Sequence, residues 1–97
     1  MEDRDYIIML YDYYGELLND KQKIYFEEYY FNNLSLGEIS INLGVSRNAV
    51  HKCLGVVEDK LKFYEEKLQL YHKTNIIRDI IRETKDSNIK NKLKELV

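Results

Sequence analysis

Apolar positions recur at intervals of three and four along most of the chain. In "DRDYIIMLYDYYGELL" the side chains of Tyr6, Leu10, Tyr13, Tyr14 and Leu17, with Ile7 and Tyr11 beside them, form one helical face. Asn19 and Gln22 then have the spacing of a capping box, so a second helix is predicted to start near Asp20. It turns Ile24, Tyr25 and Tyr29 inward, with Phe26 and Tyr30 as further candidates, and "FNNLS" ends it. Ser35 and Glu38 make a second box, S-x-x-E, ahead of a third helix over Leu36 to Leu43. Gly44 supplies the left-handed residue of a tight exit, Val45 re-enters the core, and Ser46 caps a fourth helix.

The fourth helix shows no obvious stop. Val50, Leu54, Val57, Leu61, Tyr64, Leu68 and Tyr71 are spaced 4, 3, 4, 3, 4, 3, a heptad seam that predicts one helix to about Tyr71. Gly55 lies within it and weakens it by about 1 kcal/mol relative to Ala. Thr74 or Asn75 can cap a fifth helix with Ile76, Ile77, Ile80 and Ile81 on one side. After the polar break Asp86–Ser87–Asn88, a last short helix groups Ile89, Leu93 and Leu96. No strand alternation and no internal repeat is visible. The expected fold is all-α, with five to six helices around a helix-turn-helix and a long fourth helix. Residues 1–72 are read as the helix-turn-helix domain, and 73–97 as a helical extension that packs on it or dimerises with it.

Composition agrees with helix: 97 residues, no Pro, four Gly. The single Cys excludes an internal disulfide and fits a reducing compartment. The start "MEDRDY" is acidic, unlike a signal peptide, and no charge-free run approaches the roughly 18 residues of a spanning helix. A cytoplasmic location is expected.

The stretch "SLGEISINLGVSRNAVHKCLG" has what a DNA-binding helix-turn-helix needs. Gly44 tolerates positive φ in the turn; Ile39, Leu43, Val45, Val50 and Cys53 stand where they lock the crossing, with small Ser40 close by. Ser46, Arg47, Asn48, His51 and Lys52 are polar at the start of the second helix, the end that enters the major groove. Arg suits guanine, Asn suits adenine, and a capped helix start suits phosphate. The formal charge is −2, unevenly spread. Residues 1–34 hold three basic and eight acidic residues, net −5; residues 35–62 are net +1 and residues 63–97 net +2. Few cations reach phosphates, so affinity per monomer should be modest and salt-sensitive.

The run from "LLNDKQKIYFEEYYF" through "LSLGEI", "LGVSRNAVH" and "YEEKLQL" resembles the YlxM family of small bacterial helix-turn-helix proteins, over about residues 6 to 71. The motif also resembles the DNA-binding C-terminal region of sigma-70 factors. The resemblance implies DNA binding through Ser46, Arg47, Asn48, His51 and Lys52. Because the family's genes lie beside that of the signal recognition particle GTPase, it also implies a regulatory or serving role in that pathway. The alternative it leaves open is a protein-interaction adaptor of that pathway, with the motif as scaffold and particle components as partners. The chain departs from the family at Gly55 to Val57, where more polar or basic residues are expected.

Other chemistry is weaker. His51 and Cys53 are two apart on a helix and point in different directions, which disfavours a zinc site. Glu27–Glu28 and Glu65–Glu66 read as solvated faces, and no glycine-rich phosphate loop exists. Neither a cofactor nor an enzymatic activity is expected. Nine tyrosines exceed what one small core holds, so some are expected at a protein–protein surface. The seam beyond Val57 outruns the motif's own core. Its cover is either the fifth helix folding back or a second copy of the chain. A homodimer through Leu61, Tyr64, Leu68, Tyr71, Ile77, Ile80 and Ile81 is preferred, with DNA half-sites about 34 Å apart.

Overall fold

A computed structural model of the protein describes residues 4–97; Met1, Glu2 and Asp3, part of the acidic start, lie outside the described residues. Six α-helices follow one another: α1 (Arg4–Tyr14), α2 (Asp20–Tyr30), α3 (Leu36–Leu43), α4 (Arg47–Leu68), α5 (Leu70–Glu83) and α6 (Ser87–Lys94), with a 3-10 turn at Gly15–Leu17. The fold is all-α. No described helix is long and apolar enough to cross a membrane.

The helix starts follow the caps. Asn19 Oδ1 accepts from the Gln22 N–H at 2.8 Å while Gln22 Oε1 accepts from the Asn19 N–H at 3.1 Å. Ser35 and Glu38 make the same reciprocal pair. Asp86 Oδ1 caps α6 through the N–H groups of Asn88 and Ile89. The Arg4 guanidinium closes the far end of α2, donating to the carbonyls of Tyr29 and Tyr30, where a cation meets the negative end of the helix dipole.

Two adjoining apolar clusters form the core. Between α2, α3 and α4 lie Tyr25, Ile39, Val50 and Leu54, with Leu43 and Val45 partly buried against them. Between α1, α2 and α4 lie Ile7, Leu10, Tyr14, Leu18, Phe26, Tyr30, Val57 and Leu61. Tyr29 and Cys53 touch both clusters. Ile24, expected inward, is half exposed, because Tyr25 and Phe26 already fill that side of α2.

The seam expectation is corrected in two places. First, α4 ends at Leu68, not Tyr71, and α5 begins at Leu70 rather than at Thr74 or Asn75. Gln69 between them is left-handed, with φ 55°. Second, Leu61 is fully buried in the chain's own core, because α1 runs beside α4 and covers it. Tyr64 and Tyr71 are partly buried against the same cluster. Leu61 is therefore not available to a partner, and the need for an outside cover begins later in the chain. The tyrosine surplus is also absorbed internally: all nine are buried or half-buried. Tyr11 donates its hydroxyl to the Glu27 carboxylate, Tyr14 to Glu65 and Tyr30 to Glu58.

Candidate nucleic-acid interface

The turn between α3 and α4 is built from three residues. Gly44 sits at φ 66°, ψ 36°, where a Cβ would be strained, and closes α3. The Val45 N–H reaches back to the Ser40 carbonyl at 3.1 Å, the bond of a Schellman-type exit. Ser46 is extended, and its Oγ accepts from the Ala49 N–H at 3.0 Å, starting α4. Val50 and Leu54, buried one turn apart, then fix the rotation of α4 about its axis. Both locking residues lie outside the arc of the polar residues at the helix start, on its Arg47 side.

Ser46, Arg47, Asn48, His51 and Lys52 are all exposed. At 100° per residue, Arg47, Asn48, His51 and Lys52 span an arc of about 140°, one continuous face over the first two turns. Among the described residues, neither Arg47 nor Lys52 has an acidic partner within ion-pair distance. Their charge is thus free for an anion. Ser46 Oγ accepts the cap bond, which positions the helix start and leaves its O–H to donate outward.

A shallow groove runs along one side of this face, lined by Asn19, Lys21 and Gln22 from the start of α2 and by Ala49, Lys52, Cys53 and Val56 from α4. It brings Lys21 beside the start of α4, with its ammonium 5.6 Å from the centre of the Tyr25 ring. Lys21 precedes Lys52 by 31 residues, and no local pattern links the two. Only the way α2 crosses α4 unites them. Burial pushes the Cys53 thiol up, opposed by nearby Lys21, so Cys53 is a protonated packing residue. Glu65, read from its neighbour Glu66 as solvated, is 8% exposed and belongs to the packing between α4 and α5. The pattern held no signal for that, since its partner Tyr14 lies 51 residues away.

The whole chain, residues 1–97, matches the model of the UPF0122 family, described as "Putative helix-turn-helix protein, YlxM / p13 like". The chain belongs to this family. A UPF0122 protein of Caldanaerobacter subterraneus subsp. tengcongensis is 56% identical over 75 residues, 75% of this chain and 63% of that relative. The chain thus matches less than two thirds of that relative's length. A UPF0122 protein of Malacoplasma penetrans is 40% identical over 93 residues, covering 96% of this chain and 87% of the relative. One from Ureaplasma urealyticum serovar 10 is 41% identical over 93 residues, covering 96% and 94%. The family is described as helix-turn-helix, and the geometry above supplies the motif's turn, caps and exposed second helix.

Proposed function

We propose that the protein is a non-enzymatic, cytoplasmic DNA-binding regulator that sets the first two turns of α4 into the major groove of duplex DNA. The observation that carries this reading is the free, exposed face of Arg47, Asn48, His51 and Lys52 on a helix whose rotation is fixed by Val50 and Leu54. Arg47 and Asn48 are the base-reading candidates, by their fit to guanine and adenine. Lys52, with Lys21 across the groove, supplies phosphate contacts. With so few cations, binding should be weak and its salt dependence shallow, since each neutralised phosphate contributes about 0.9 to the slope of log K against log salt.

The test is a titration of labelled random duplex between low and moderate salt. Measurable binding at low salt that declines with a slope of roughly −2 to −4 supports the reading. No binding at low salt would overturn it and leave the motif as a scaffold for protein partners, those of the signal recognition particle first.

A further inference from the structure

The helices α5 and α6 form a hairpin with no buried residue at all, yet both carry an apolar stripe. Ile76 is 46% exposed, Ile80 42%, Ile89 49% and Leu96 67%. Helices of 14 and 8 residues are marginal in water unless such a face is packed. The shape of the molecule points the same way. It measures 56 × 26 × 24 Å with a radius of gyration of 17.1 Å, against about 13 Å for a compact domain of this length. Its accessible surface is 6808 Å², whereas a compact monomer of its mass exposes roughly 5,900 Å². The excess is about the 800 Å² that one partner contributes to a standard protein interface.

The geometry points to a second copy of this chain as the cover for the hairpin, with the stripe around Ile76 and Ile80 on the two-fold axis. A two-fold interface must be complementary to itself. The flanks of the stripe meet that demand: at 100° per residue Lys73 and Glu83 lie about 40° to either side of the line through Ile76 and Ile80, and an antiparallel two-fold between those isoleucines sets Lys73 level with Glu83 of the second copy across the stripe. A duplex offers isoleucines little beyond scattered thymine methyl groups, too little to cover a stripe of this length. An anionic membrane is the rival cover, but α5 carries acids beside its cations and its stripe lacks the aromatic residues that favour such a surface. The interface differs from the one the heptad seam suggests. Leu61 is spent inside the chain, and Ile76, absent from that set, takes its place beside Ile80. The inference does not depend on DNA binding.

Sedimentation equilibrium of the full chain between roughly 1 and 100 µM, a range in which a standard interface associates, tests it. The expected result is twice the 11.7 kDa monomer mass. Ile76→Glu with Ile80→Glu should raise the dissociation constant by about thirtyfold or more. Both positions are exposed in the monomer, so the variant's thermal melt reports whether α1–α4 remain folded. A wild-type chain that sediments as a monomer throughout overturns the inference, whatever the variant does. Co-sedimentation of that monomer with anionic lipid vesicles would then identify the membrane surface as the cover.

Discussion

Tyr14 donates its hydroxyl to the Glu65 carboxylate at 2.5 Å, across 51 residues of sequence. The pair sits at the break between α4 and α5 and makes it. Glu65 Oε1 also accepts from the Tyr71 N–H and Oε2 from the His72 N–H, at 3.1 and 3.0 Å. The Tyr14 oxygen accepts from the Leu70 N–H at 3.0 Å. Two side chains thus satisfy three of the N–H groups that the start of α5 leaves open. Gln69 can then turn left-handed without stranding its neighbours.

Glu65→Ala removes the acceptor for Tyr14 and for two backbone donors. It should lower stability by about 2–4 kcal/mol, given the cost of stranding buried donors. Urea denaturation checks the loss, and hydrogen exchange should show early exposure of the amides of residues 70–72. Unchanged midpoints and protection would show that the break is held by something else.

The Tyr14 hydroxyl is pushed up to about 12, chiefly by burial and then by its bond to Glu65. Tyr11 and Tyr30 are raised for the same reasons, beside Glu27 and Glu58. A group whose folded pKa exceeds its unfolded value of about 10 contributes fully below that pH. Its contribution is lost as pH rises from there through the folded value. Stability should therefore fall steeply between pH about 10 and 12, and less steeply in Tyr14→Phe. Parallel alkaline profiles for the two proteins would contradict this.

Leu61→Ala should cost about 2–5 kcal/mol of folding stability, as should Leu54→Ala, since both are packed in the core. That is a large part of what so small a domain has. Chemical denaturation measures both. A Leu61 variant that stays fully stable would return the residue to the outside of the molecule.

Gly55 lies exposed in the middle of α4, and a Cβ there would meet nothing within 4 Å. Gly55→Ala should therefore stabilise the chain by about 0.5–1 kcal/mol, read as a rise of a few degrees in melting temperature. A fall would mean that the backbone at Gly55 is approached by something in the folded state.

How far the sequence led depended on the range of the contacts involved. The bounds of α3, the capping boxes at Asn19 and Ser35, and the left-handed Gly44 were legible because each rests on residues within four positions. The exposed face from Arg47 to Lys52 followed from the same local pattern. The end of α4 was not legible. Gln69 carries no breaker signature, and the groups that stabilise the break, Tyr14 above all, come from the other end of the chain. Leu61 was misplaced for a related reason: spacing shows which face is apolar but not that α1 lies along it. Lys21 joins the candidate interface only through the packing of α2 on α4.

The central claim is that the start of α4 holds DNA. Its most direct measure is the anisotropy of a labelled duplex titrated at low salt with the wild-type chain and with Arg47→Ala, Lys52→Ala. Both side chains are exposed, so the variant keeps the fold. The account predicts a loss of about 2–4 kcal/mol in binding, at 1–3 kcal/mol for each good contact. Equal binding by the two proteins would contradict it.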